Sequence, residues 1–114
     1  MSLENDLFPK LQFWEEAKKD WAALDGHQKK FVSKALQRIE ESAANIGEAL
    51  SKKRNIDLTG YRKVKLKAVG IRIVYKVLND KIEVAEIIAI GNRADEEVYK
   101  EALERIRKNI NTTR

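Results

Sequence analysis

Between residues 61 and 99, apolar and charged positions alternate in three successive runs, a period of two that predicts strands. In the first run Lys63, Lys65 and Lys67 alternate with Val64 and Leu66. Arg72 and Lys76 follow in a second, and Ile82 to Ile90 makes a third. Upstream the period changes. Trp14, Ala17, Trp21 and Leu24 recur at helical spacing, and Val32, Ala35, Leu36, Ile39, Ala43, Ile46 and Leu50 trace the apolar stripe of a longer second helix. Asp25, followed three residues later by Gln28, has the form of a capping box at its start. A short alternating piece at residues 7–13, broken by Pro9, reads as an edge strand, where a missing N–H is tolerated. After the strands, Asp95 is placed to cap a last helix with Glu96 and Glu97 in its first turn and Val98, Ala102, Ile106 and Ile110 on its inner face. The order β-α-α-β-β-β-α predicts an α+β fold: a small antiparallel sheet, an N-terminal helical hairpin and a C-terminal helix. The strand connections are too short for parallel crossovers.

Turn chemistry decides which side chains share a face. Asn79-Asp80 suits a two-residue hairpin turn, since both residues tolerate positive φ. That register sets Lys76 opposite Glu83 and Tyr75 opposite Val84. Near residues 68–70 an even-length loop puts Lys65 opposite Arg72 and keeps each face uniform, whereas a three-residue loop would drive Arg72 among Val64 and Leu66. Counting on by twos, Ile87, Ala89 and, past Gly91, Arg93 join the cationic face. Glu86 then falls among apolar side chains, with no evident reason. Two cations directly opposite each other destabilise a sheet, and such local violations mark functional sites.

Charge sharpens the picture. The 114 residues carry 23 Lys and Arg against 18 Asp and Glu, a net +5. Residues 51–76 hold nine of the basic residues and one acid, Asp57, a net +8 that leaves −3 for the remainder. A basic patch this local is the footprint of a nucleic-acid partner, though a solvated basic face has the same charge pattern. The chain has no cysteine, which removes disulfides, thiolate chemistry and cysteine-ligated metal. Its one histidine, His27, sits at a helix start away from the cationic face, so a histidine pair for acid–base chemistry is not available. Nothing marks a metal or cofactor site. The length suits one domain spanning residues 1–114. With neither a signal region nor an apolar run long enough for a membrane span, a cytoplasmic protein without membrane contact is expected.

The strings KVKLKAVGIRIVYKV, IIAIGNR and EVYKEALERI resemble the RelE family of toxins from bacterial and archaeal toxin–antitoxin pairs, and LQFWEEAKKDWAAL is similar to that family's first helix. The resemblance covers most of the chain. Its most specific parts are the K-x-K…G-x-R strand pair and the G-x-R…VY junction. It implies a fold related to that of microbial ribonucleases, an endoribonuclease that cuts messenger RNA in the ribosomal decoding site, and a cognate antitoxin as partner. By motif it assigns Lys63 and Lys65 as paired strand lysines, Arg72 as the arginine after the glycine, Arg93 as the arginine after the last strand, and Tyr99 as the helix tyrosine. It further implies Lys65 or Tyr99 as base, Arg72 as phosphate stabiliser, Arg93 as stabiliser or acid, and Lys63 as a contact to substrate or ribosomal RNA. Asn92 stands where the family commonly has a cation, which implies a weaker backbone or ribosomal RNA contact. Arg62, Lys67 and Lys76 are candidates for nonspecific RNA contact or plain solvation. Self-association stays open. ParE-type toxins share the scaffold but poison DNA gyrase through protein contacts and lack the cationic set. A noncatalytic RNA-binding module would need only the patch, yet the chain has no row of stacking aromatics.

Overall fold

The computed structural model describes residues 8–53, 56–78, 84–91 and 95–111. Strand β1 (Leu11–Phe13) starts just past Pro9, burying Leu11 and Phe13 and exposing Gln12. Trp14 then stands at the N-cap position of α1 (Glu15–Ala22), whose first turn carries Glu15 and Glu16 at the positive end of the helix dipole. Helix α2 (Gly26–Ser42) opens on the capping box expected from its sequence. The Gln28 N–H donates to Asp25 Oδ1 at 2.7 Å, and the Asp25 N–H donates to Gln28 Oε1 at 3.0 Å. Val32, Ala35, Leu36 and Ile39 are buried along α2. The helix is shorter than its apolar stripe: Ala43 is buried just beyond its end, and Ile46 and Leu50 pack against the core from the chain that follows.

The remaining elements are β2 (Glu48–Ala49), β3 (Lys52–Lys53), β4 (Ile56–Asp57), β5 (Arg62–Leu66), β6 (Ile71–Val77), β7 (Ala85–Gly91) and α3 (Asp95–Asn111). One five-stranded sheet has the order β1-β7-β6-β5-β2, and β3 pairs with β4 alone. The meander β5-β6-β7 is antiparallel, as expected. Strand β1 departs from that pattern by pairing parallel to β7, so the sheet is mixed. Most of the chain lies between those two strands, which supplies the crossover length that parallel pairing needs. Helix α3 starts at Asp95 and buries Val98, Ala102 and Ile106 as expected, while the side chains of Asp95, Glu96 and Ile110 lie outside the described residues.

Lys65 stands opposite Arg72, joined by the even-length loop 67–70. The next register differs from the expected one. Lys76 pairs with Glu86 and Tyr75 with Ile87, and the Leu78 N–H donates to Val84 O at 3.0 Å, so the connection is longer than a two-residue turn. Its residues 79–83, including Asn79, Asp80 and Glu83, lie outside the described set. The ladder also shifts between Val74 and Tyr75, leaving Ile88 as the extra residue of a bulge. The bulge reverses face parity along β7. Ala89 and Gly91 share the face of Arg72, whereas Ile87 turns to the other side. Glu86 comes to stand across from Lys76, which gives this carboxylate a place that simple alternation did not. The Lys76 ammonium lies 5.8 Å over the Tyr61 ring, and burial first, then the Glu86 charge, raises the Tyr61 phenol above its ordinary pKa.

On the opposite face Ile71, Ile73 and Tyr75 are fully buried. The Tyr75 hydroxyl lies 2.7 Å from Ala43 O and 2.8 Å from Ile46 O, at the end of α2 where carbonyls lack helical partners. Arg62 joins it there. Its Nε and Nη2 donate to Ile46 O at 3.1 and 2.9 Å, and Nη2 also to Gly47 O at 3.2 Å. Arg62, a candidate for RNA contact, is thus turned away from the cationic face, because β5 alternation points it toward the carbonyls of Ile46 and Gly47 in the chain after α2. Burial raises the Tyr75 phenol above its ordinary value of 10.0, against the lowering effect of Arg62. An unfolded tyrosine ionises near 10. The contribution of Tyr75 is therefore complete below about pH 10 and is lost as pH rises through the higher folded value. Denaturation midpoints are expected to fall above about pH 10, and Tyr75→Phe to flatten that fall while costing about 1 kcal/mol at neutral pH.

Candidate active site

The cations are gathered at one end of the sheet. Lys65 is exposed opposite the half-buried Arg72, and Gly91 of β7 completes the row. Arg72 Nη1 donates to Gly70 O at 3.0 Å, tying the guanidinium to the 67–70 turn. Lys63 lies two residues along the same face. Its ammonium is 3.8 Å from Glu48 Oε2 on the neighbouring edge strand and 5.5 Å over the ring of Tyr99. Further in, Val74 and Ala89 are buried, and α3 lies against β6 and β7, so the face is covered at its middle and open at the end that carries Lys65 and Arg72.

Gly91 determines how α3 enters. A Cβ at this position would stand 3.0 Å from Val98 Cγ2, so the missing side chain lets the helix pack closely on β7. The next residue, Tyr99, is half-buried against the core on the β5 side of α3. Its hydroxyl is buried and hydrogen-bonds to no described residue. The structure thus brings together Lys63, Lys65, Arg72 and Tyr99. Arg93 and Asn92 lie outside the described residues.

Other sequence candidates fall elsewhere. Lys67 is exposed in the turn after β5, and Lys76 is exposed at the far end of β6 near Tyr61 and Glu86. His27 is exposed at the start of α2, with its ring 5.1 Å from Phe31 in an edge-to-face contact. Among the described residues no group of three or more His, Cys, Asp or Glu is arranged to hold a metal ion, and no helix is long and apolar enough to cross a membrane. Glu48 was not foreseen, because a two-residue strand has no alternation to reveal it.

Known proteins resemble this chain in sequence and in fold. The sequence pattern of the ParE toxin of type II toxin–antitoxin systems (parDE) matches residues 11–97. The mRNA interferase toxin RelE of Escherichia coli strain K12 is 33% identical over 96 residues, which are 84% of this chain and 95% of that protein. A solved E. coli RelE mutant with two arginines replaced by alanine, in the free state, aligns with a TM-score of 0.65 at 33% identity, covering 84% of this chain and 95% of its own. The intact E. coli RelBE toxin–antitoxin complex gives a TM-score of 0.57 at 30% identity over 74% of this chain and 95% of the matched one. The chain belongs to the RelE/ParE superfamily of type II toxins.

Proposed function

We propose that this RelE/ParE-superfamily toxin is a ribosome-dependent endoribonuclease that cuts messenger RNA in the decoding site. The observation that carries the reading is Lys65 directly opposite Arg72, with Lys63 beside them over the ring of Tyr99. Like charges placed this way oppose folding, and a bound polyanion offsets the repulsion.

Cleavage proceeds by attack of a ribose 2′-oxygen on the adjacent phosphorus. The O2′–P bond forms, the P–O5′ bond breaks, a base takes the 2′ proton and an acid protonates the departing 5′ oxygen. Arg72, anchored through Gly70 O, is the phosphate stabiliser, because a planar guanidinium matches the oxygens of a phosphorane-like transition state. Lys65, exposed beside it, is the base in this reading. The buried hydroxyl of Tyr99 favours a role for its ring instead. Arg93 is a second stabiliser or the acid, and Lys63 holds substrate or ribosomal RNA. Lysine is an inefficient base at neutral pH, which fits an enzyme whose substrate is positioned by the ribosome. Lys67 and Lys76 add phosphate contacts without base readout. E. coli RelE forms a complex with its antitoxin RelB, and a cognate antitoxin is the corresponding partner here. The ribosomal target places the activity in the cytoplasm.

Mapping messenger ends in a purified translation reaction tests the reading. Cleavage is expected on programmed ribosomes and to survive EDTA treatment of the isolated toxin. Binding to free RNA is expected to be weak and to fall steeply with salt. Fast, sequence-specific cutting of naked RNA would remove the ribosome from the mechanism. Inhibition of gyrase supercoiling with ribosomes untouched would install the ParE-type reading, whose name the matching family pattern carries.

A further inference from the structure

One arginine outside the proposed chemistry ties α3 to two other elements. Arg105 Nη1 donates to Asp20 Oδ2 at 2.7 Å and to Ile88 O at 2.8 Å, while Nη2 donates to Asp20 Oδ1 at 3.1 Å and to Glu101 Oε1. Asp20 Oδ2 also accepts from the Ile90 N–H at 3.0 Å. This cluster occupies the stretch of β7 that has run past its last pairing with β1, Phe13 with Ile87. The side chains of Arg105 and Asp20 are 11% and 17% exposed. Burial acts to lower the guanidinium pKa, but the hydrogen bond and charge of Asp20, aided by Glu101 and Glu16, outweigh it and raise the value.

Apolar contacts seat one face of α3 on the sheet, and Arg105 adds the polar contact on the flank that faces α1 and β7. The helix's buried stripe is Val98, Ala102 and Ile106, with an alanine at the middle and the partly buried Tyr99 and Leu103 beside it. A cavity of about 180 Å³, lined in part by Leu24, Gln28, Gly91, Val98 and Glu101, lies along the helix where it faces the α1–α2 turn. Tyr99 precedes Arg105 by six residues, roughly 9 Å along the axis. It meets Lys63 of β5 on one flank, while Arg105 grips α1 and the outer edge of β7 on the other. A roll that loosened the arginine would move the tyrosine ring off Lys63.

We propose that the Asp20–Arg105–Glu101 cluster positions the active site by setting the roll of α3 and so holding Tyr99 against Lys63. The inference rests on Tyr99 belonging to the site proposed above. Glu101 and Arg105 lie beyond residue 97, where the match to the family pattern ends.

Arg105→Lys keeps the charge and removes the planar fork. Asp20→Asn is the second variant and decides the matter if the first does not fold. Two readouts are needed: the nuclear Overhauser contact between the Lys63 ε-methylene and the Tyr99 ring in the isolated protein, and single-turnover cleavage on saturating programmed ribosomes. Each variant is expected to lose the contact and to cleave about 10- to 100-fold more slowly, with half-saturation by ribosomes unchanged. In a Tyr99→Ala background, Arg105→Lys is expected to add less than about a twofold loss, because both changes act through one ring. A purely structural cluster would add its full loss there, and that result overturns the proposal. So does a retained contact, or a lost contact with cleavage intact while Tyr99→Ala is slow. If Tyr99→Ala itself cleaves at the wild-type rate, the site reading fails and this inference falls with it.

Discussion

Arg72→Ala is expected to slow single-turnover cleavage on programmed ribosomes by about 100-fold or more, the scale of losing one preorganised donor to a transition-state anion. Stability should barely change. The variant loses the bond from Nη1 to Gly70 O, worth about 1 kcal/mol. It also relieves the repulsion between Arg72 and Lys65, which stand directly opposite in the ladder. These effects oppose each other, so denaturation midpoints close to wild type should accompany the lost activity. Arg72→Lys separates charge from shape: it keeps a cation but not the planar fork, and an intermediate rate is expected. Arg93→Ala should resemble Arg72→Ala. If both alanine variants cleave like the wild type, the arginines are not the phosphate stabilisers and the catalytic assignment is wrong.

Local rules were legible in the sequence where one short stretch contained all the interacting groups. The capping box on Asp25 and Gln28 spans three residues, and the pairing of Lys65 with Arg72 spans a four-residue loop, so both followed from spacing. The core stripe of α3 was readable for the same reason. Alternation failed at Ile88, because a bulge inserts one residue and inverts every face beyond it, moving Glu86 to Lys76 and Ile87 to the opposite side. Arg62 was misplaced by its charge. It sits in a basic run, yet its guanidinium serves the carbonyls of Ile46 and Gly47 in the chain that follows α2. Arg105 was unreadable for a different reason. Its spacing from Glu101 resembles an ordinary exposed helix pair, but Asp20 is 85 residues away in sequence, and only the fold joins them.

Tyr99→Phe is expected to cost less than about tenfold in cleavage, and Tyr99→Ala about 100-fold. The hydroxyl is buried without a partner among the described residues, whereas the ring carries the Lys63 ammonium 5.5 Å from its centre. Phenylalanine keeps that aromatic face and removes an unsatisfied polar group, so the variant should be at least as stable as the wild type. Alanine removes the face itself. That forfeits a stacking surface worth about 1–3 kcal/mol per base and the partly buried cation–π contact, worth about 0.5–2 kcal/mol, that helps hold Lys63. Val98 and Ala102 already supply the fully buried stripe, so Tyr99→Ala should still fold, and the rates can be compared directly. A loss of about 100-fold or more in the phenylalanine variant would instead make the hydroxyl a proton carrier and shift the base from Lys65 to Tyr99. Wild-type cleavage by Tyr99→Ala would remove the residue from the site, leaving Lys63, Lys65 and the two arginines to account for the chemistry.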